Sequence, residues 1–421
     1  FSPLWSAGIK WNAHNEEFLK PLQNIISRLV PFVGYGYRGS INRSIYPFHV
    51  YTLGVRNYDG VVAANRITYG NPVLKWERKR ELNLGLELSL FGGRVNFEGQ
   101  YYKERVIDLL DQTQLPASIG RTSTTVNVGS LSNRGVDLST RLEAVRTKDL
   151  LVEFGGNISL ITNRLDNVYN KLTPNIASND PYNAQGRPAN SWYGYKYDHI
   201  NQENGHMMVW AVKENNVMQD GKVTTTFTDE LIDINAISDA VLQANYRTYY
   251  LGHLDPDVFG GFNARVAYKS LELFSQFTYA GGNQLLSFQD RLNGPSVLYG
   301  NPVDDITASR TNRLKEIAYR WRQSGDITDI PRFSNLPSSY GKYLIDRDLS
   351  SGAYLKCTQV ALSWRSSGNR LQSKVLDNIR ATLMVNNLFQ VSPYIGTDPE
   401  TQTAFGYPNT RNYMISLSLG F

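Results

Sequence analysis

The feature that most restricts this chain is a period-two alternation of side-chain character, recurring in segments about ten residues long, the length of a tilted membrane strand. A strand sends successive side chains to opposite faces, so strict alternation encodes a sheet with one apolar and one polar face. In the last segment Tyr413, Ile415, Leu417, Leu419 and Phe421 fall on one face, and Asn412, Met414, Ser416, Ser418 and Gly420 on the other. Leu82, Leu84, Leu86, Leu88 and Leu90 alternate with Asn83, Gly85, Glu87 and Ser89. Val95, Phe97 and Tyr101 then alternate with Asn96, Glu98 and Gln100, and Gly92 and Gly93 join the two segments as a tight turn.

A second hairpin sets Val136, Leu138 and Leu142 against Asp137, Ser139 and Arg141, and returns past Lys148 and Asp149 through Val152, Phe154, Ile158 and Leu160 against Glu153, Asn157 and Ser159. A third runs through Phe262, Ala264, Val266 and Tyr268, turns near Ser270, and returns through Leu271, Leu273, Phe277 and Tyr279. Further strands fit 2–13, 30–40, 353–365 and 377–387. The total is roughly eleven strands, each of the roughly nine to eleven tilted residues that cross the hydrocarbon layer. At Asn15–Arg28 the spacing of Phe18, Leu22, Ile25, Ile26 and Leu29 is helix-like instead, with Pro21 interrupting it.

Connections alternate in length. They are short near 92, 149 and 270, and long and polar at about 41–79, 108–132, 163–257 and 283–352. Short periplasmic turns opposite long external loops are the asymmetry of a transmembrane antiparallel β-barrel. A soluble β-sandwich also alternates, but its strands run about five or six residues and its connections are rarely this long. The expected class is therefore all-β, with 26 Tyr, 17 Phe, 7 Trp and 34 Gly in keeping with strands and loops. No stretch approaches the ~18 uninterrupted apolar residues of a spanning helix.

Other classes fit poorly. The 43 basic and 38 acidic residues are interspersed, so the net charge of +5 traces no nucleic-acid path. A single cysteine, Cys357, forms neither an intramolecular disulfide nor a CxxC site, and the five histidines lack i, i+4 spacing, so neither staples nor a zinc centre is encoded. Gly34-Tyr-Gly-Tyr-Arg-Gly39 matches GxGxxG but ends a strand rather than opening a helix, which argues against a dinucleotide site. No carboxylate pair, GxSxG elbow or HExxH stands out, so an enzyme is not expected.

The strongest ligand-contact candidates are the loop aromatics Trp192, Tyr193, Tyr195 and Tyr197 with Trp210, since flat rings stack on sugar faces or peptide side chains. The alternative is that these rings pack the loop itself. Arg320 and Trp321, ahead of the 353 strand, are candidates to meet a partner or substrate, again with loop packing as the alternative. Asp198, Asn201, Glu203 and Asn204 offer oxygen ligands for Ca²⁺ without an EF-hand spacing, and no other cofactor is expected.

A run of motifs carries a family resemblance. Asn71-Pro-Val-Leu-Lys-Trp-Glu77 resembles the element that precedes a barrel strand in SusC-like TonB-dependent transporters. Phe91-Gly-Gly-Arg94, Tyr101-Tyr-Lys103, Asp108-Leu-Leu110, Asn127-Val-Gly-Ser130 and Asn133-Arg-Gly-Val-Asp-Leu138 follow in that family's order. Arg320-Trp321, Gly325-Asp326 and Pro331-Arg332 resemble its external-loop motif, Ser351–Lys356 its strand-opening motif, and Asn386-Asn-Leu-Phe389 with Tyr394, Gly396 and Asp398-Pro-Glu400 its penultimate region. Tyr407-Pro408, Arg411 and a terminal Phe421 close the chain as that family does, the last resembling a barrel-assembly signal, with an aromatic-girdle residue as the alternative. Ala353 and Lys356-Cys357 depart from the family's usual Ser-Tyr-Leu-Arg-Leu.

The resemblance implies a roughly 22-stranded, plugged barrel of the Gram-negative outer membrane, of which residues 1–421 are the C-terminal wall and loops, the plug and first strands lying outside this sequence. It further implies TonB-energised import of oligosaccharides or peptides with a SusD-like surface lipoprotein. The rival reading is a passive porin-like or adhesin barrel without energy coupling.

Overall fold

A computed structural model describes residues 4–40, 48–54, 63–68, 70–114, 116, 118, 123–168, 181–219, 222–286, 318–332, 344–367, 378–394, 396–401 and 407–420. The chain divides into two compact units. One comprises Phe1–Leu172, Asn183–Ala189 and Gly260–Glu272, and the other Thr173–Tyr182, Asn190–Phe259 and Leu273–Phe421.

The first unit opens with β1 (Ser6–Lys10), β2 (Ile26–Ser40), β3 (Val50–Gly54), β4 (Ala63–Thr68), β5 (Glu77–Leu90), β6 (Val95–Gln114), β7 (Ser123–Arg146) and β8 (Leu150–Asn167). Neighbours along β1-β2-β5-β6-β7-β8 are antiparallel, and β3 with β4 forms a separate hairpin. The helix-like spacing after Asn15 resolves into short 3-10 segments, Ala13–Asn15 and Glu17–Leu22. Pro21 lies inside the second and supplies no N–H, and the strand takes over at Ile26.

Register turns alternation into two surfaces. Val33, Leu84, Tyr101, Val136 and Leu160 form one cross-strand row on the apolar face. Phe32, Gly85, Gln100, Asp137 and Ser159 form the row behind it on the polar face. There Gln100 Nε2 donates to Asn83 Oδ1 at 3.1 Å, Arg141 pairs with Glu153 at 2.8 Å, and Glu87 takes both Lys10 and Arg28. On this face the Phe32 ring lies across Gly85; a Cβ there would sit 2.1 Å from the ring, so the ring would have to move aside.

β6 and β7 run past the apolar band, pairing out to Gln114 and Ser123, so much of 108–132 is ladder rather than loop. The β-branched run Thr124, Thr125, Val126 and Val128 favours that extension. Asp108, at φ 60°, marks the irregularity where the register shifts. The sequence motifs meet here. Asn127 accepts from the Lys75 amide and donates to the carbonyls of Lys75 and Asp108, Asn71 donates to the Thr125 carbonyl, Glu77 accepts from the Leu110 amide, and Arg78 pairs with Asp108 at 2.8 Å. Asn71, Glu77, Asp108 and Asn127 therefore form a latch across β5, β6 and β7.

The second unit continues with β9 (Ser191–Gly194), β10 (Lys196–Ile200), β11 (Met207–Gln219), β12 (Lys222–Asp233), α1 (Asp239–Asn245), β13 (Tyr246–Arg247) and β14 (Tyr249–His253). The chain then forms β15 (Val258–Tyr268), which lies beside β8. After a turn with Lys269 at φ 53° come β16 (Leu271–Gly281), β17 (Gln284–Leu286), β18 (Leu349–Ser351), β19 (Tyr354–Ser367), β20 (Asn378–Val391) and β21 (Asn412–Gly420). Wall strands in this unit follow the order β16-β19-β20-β21. With β1, β2, β5, β6, β7, β8 and β15 of the first unit, seven and four make eleven wall strands among the described residues. The two faces recur: Leu362, Leu383 and Ile415 share an apolar row, and Ser363, Thr382 and Ser416 a polar one. Cys357 is buried. Phe421 lies outside the described residues.

Candidate functional site

Between β8 and β15 the second unit builds a small fold of its own. Strands β10, β11 and β12 form a sheet with β13 on β11, and β9 pairs with β14. Met207, Val209 and Ala211 alternate inward from β11 and meet Ile232, Ile234, Leu242, Tyr246 and Ile345 in a buried core. Closing such a core needs an apolar contribution from each element, and Leu242 supplies it from α1.

The candidate aromatics belong to this fold in different ways. Tyr195 is 1% exposed and Trp192 4%. Tyr195 bridges Ile345, accepting from the Asp346 amide and donating its own to the Leu344 carbonyl at 2.9 Å, and burial pushes its phenol up. Trp192 Nε1 donates to the Gln284 carbonyl at 2.7 Å. Tyr193 is half-buried, edge-on between Tyr182 and Tyr250 at centroid separations of 6.3 and 6.0 Å. The Tyr197 amide donates to Asp346 and its hydroxyl to Asp329 at 3.3 Å, under the Arg347 guanidinium at 4.5 Å from the ring. Burial is the main reason its phenol is pushed up to about 12.

Trp210 is the open one, 37% exposed, with Nε1 donating to Asp198 at 2.7 Å. Asp198 also faces His199 Nδ1 at 2.5 Å, and these hydrogen bonds, His199 first, hold its carboxyl below the usual range. Trp321 packs against the core, donates its indole N–H to the Gln202 carbonyl at 3.0 Å, and covers Gly205, where φ is +71°. The amide of Arg332 donates to the Gly205 carbonyl, so 321–332 straps the 202–205 turn. Arg320 is half-buried beside it.

The side-chain oxygens of Asn201 and Asn204 accept the amides of Glu203 and His206, so both serve as turn caps. Among the described residues no group of three or more His, Cys, Asp or Glu is placed to hold a metal. The sequence reading missed a chain from the Tyr250 hydroxyl to His253 Nδ1 at 2.8 Å and from His253 Nε2 to Asp257 at 3.0 Å, next to Tyr193. Its only sequence trace is the short spacing Tyr250, His253 and Asp257.

Comparison with known proteins agrees with this architecture. The family described as TonB dependent receptor-like, beta-barrel matches residues 2–227. TonB-dependent receptor P3 of Formosa agariphila is 25% identical over 448 residues, an alignment covering 99% of this chain and 41% of the relative. TonB-dependent receptor SusC of Bacteroides thetaiotaomicron is 23% identical over 441 residues, with 99% and 40% covered. A solved structure of the RagAB peptide importer in the closed-closed state shares the fold at a TM-score of 0.77 and 24% identity, covering 99% of this chain and 43% of that one. The chain thus spans about two fifths of the length of these relatives. With more than half its residues matched by that family, the chain belongs to the TonB-dependent receptor-like β-barrels of the Gram-negative outer membrane.

Proposed function

We propose that this chain forms wall and external loops of an outer-membrane importer of oligosaccharides or peptides, energised through TonB and working with a SusD-like surface lipoprotein. The observation that carries the reading is the two-faced wall of long strands combined with a loop fold that has its own core. The apolar face suits lipid, and the polar face, with Asn83, Glu87, Gln100, Asp137 and Arg141, suits a wet lumen. A folded loop holds aromatic side chains rigidly, which lowers the ordering cost of gripping a solute. Trp210, Tyr193 and Arg320, the candidates left open or half-open, are the proposed solute or lipoprotein contacts. The RagAB structure is described as a peptide importer, and that relative supports peptides as one of the two solute classes. No bond is made or broken in this mechanism; energy enters through a periplasmic pull on a plug.

The test is the intact mass and subunit composition of the native complex after detergent extraction from outer membranes. A polypeptide about two and a half times this length with a co-purifying lipoprotein is expected, given the two fifths of each relative that this chain covers. A 47.6 kDa chain alone, or one found in the soluble fraction, overturns the proposal.

A further inference from the structure

The apolar face of the first unit ends abruptly in cations. Two adjacent cross-strand rows close the band above Leu84: Tyr35, Leu82, Lys103, Arg134 and Thr162, then Tyr37, Arg80, Arg105, Ser132 and Arg164. All five cations are exposed, and by strand alternation all five lie on the lipid-facing side. They sit at the end of β5 and β6 away from the Gly92-Gly93 turn, the end that carries the long connections. Five cations from four strands occupy a patch about 14 Å wide at ~4.8 Å per strand.

Their pairing is unusual. Arg80 lies directly opposite Arg105, and Lys103 directly opposite Arg134, and like charges in that position repel. On the lumen side the chain resolves the same problem internally. Glu81 and Glu104 are also opposite, and Lys79 contacts both while Arg38 lies 3.6 Å from Glu81. On the lipid side one acid among the described residues reaches the patch, Asp166 at 3.6 Å from Arg105. Among the described residues no ion pair joins Arg80, Lys103, Arg134 or Arg164 to a carboxylate. Among the described residues the patch is therefore short of negative charge.

We propose that Arg80, Lys103, Arg105, Arg134 and Arg164 form a binding site for the phosphorylated headgroup of an outer-leaflet glycolipid. The occupant must bring its acyl chains to the apolar rows below and its phosphates to the cations above, which a lipid does and a free anion or protein partner does not. Arginine suits the task because its planar fork takes phosphate oxygens in pairs. Tyr35 and Tyr37, edge to face at 6.0 Å beside Arg80, place interfacial aromatics at the same level.

The test uses the full-length transporter purified in detergent and native mass spectrometry of bound lipid. Diphosphorylated lipid A should be retained, its dephosphorylated form retained at least about tenfold less, and inorganic phosphate should fail to displace it, as expected for several charge-assisted contacts on an anchored headgroup. Joint Arg80→Gln, Lys103→Gln, Arg134→Gln and Arg164→Gln should cause a similar loss, whereas joint Arg80→Lys, Arg134→Lys and Arg164→Lys should lose less than the Gln set, since charge is kept and the paired contacts are not. If the joint Gln variant fails to insert, Lys103→Gln and Arg134→Gln alone should each lose about two- to threefold, a fraction of the joint effect. Retention unchanged by the Gln substitutions or by dephosphorylation, or displacement by inorganic phosphate, overturns the site. Import and TonB coupling are not read in this assay, so its outcome stands apart from that of the proposed function.

Discussion

Along β5 from Leu82 to Leu90 every second residue is a leucine and none is sealed from solvent, whereas along β11 the alternate residues Met207, Val209 and Ala211 are all buried. Both strands obey the same period of two. The difference lies in what covers the apolar face: lipid for the wall strand, a helix and a second strand of the same fold for the loop strand. A wall in lipid needs its backbone groups paired and gains little from an internal core. A loop fold in water depends on burial.

The largest effects should therefore come from the loop core. Ile234→Ala, at a side chain 1% exposed, should destabilise the loop fold by about 2–5 kcal/mol through lost burial and a residual cavity. Leu84→Ala on the wall should cost under about 1 kcal/mol, since lipid fills the gap and no cavity forms. Protease nicking between Ser191 and His253, followed beside the heat-dependent gel shift of the folded barrel, separates the two. Equal sensitivity of both readouts in both variants would erase the distinction between lipid-covered and core-covered strands.

The comparison can next be turned around with charge. Leu86→Arg, midway along the Leu82–Leu90 stripe, should cost about 2–4 kcal/mol on the lipid face. Gln100→Arg, on the opposite face and one register step away, should fall within about 1 kcal/mol because that side chain is already hydrated. Denaturant titration in vesicles reads both, and a Gln100→Arg penalty matching that of Leu86→Arg would reverse the assignment of faces.

The wall was legible because lipid and water impose the same alternation on every strand, so the Leu82–Leu90 and Tyr413–Leu419 patterns declare both the strand and its two faces. Motif residues were legible as a family signature, but the reason for them was not. Asn71, Glu77, Asp108 and Asn127 are spread over 57 positions in sequence, from 71 to 127, and only register brings them into one latch. The loop fold reads in sequence as polar connection because the apolar alternation of β11 stops at Ala211, with Lys213 and Asn215 next on that face, and its core draws single residues from distant stretches, Tyr195, Ile234, Leu242 and Ile345. Two of the ring candidates, Trp192 and Tyr195, owe their burial to partners at Gln284 and Ile345 that no local pattern announces.

Within the loop fold, covering and hydrogen bonding can be separated at Trp321. Trp321→Phe keeps a ring over Gly205 and loses the N–H that reaches the Gln202 carbonyl, so it should cost about 1 kcal/mol. Gly205→Ala should cost more, because φ +71° strains a Cβ that would also lie 2.4 Å from the indole. The order of the two losses, read by nicking of the 202–205 turn, tests whether close cover or the polar contact holds the strap.

The smallest effect distinguishes exposed polar contacts of the loop from the core beneath them. Asp198 is held below the usual carboxylate range by His199 and the Trp210 indole, so the folded state binds its proton less readily than the unfolded chain does. Its contribution is thus full above the ordinary aspartate value of about 4 and disappears as pH falls through the depressed folded value. Trp210 fluorescence, taken as the difference from a Trp210→Phe variant, should change in that acid window and lose the transition in Asp198→Asn. Global unfolding should not move with it, since Asp198 and Trp210 lie at the loop surface while Ile234 and Leu242 keep the core closed. A transition that coincides with loss of the core would make this surface pair part of the fold's stability rather than a local contact.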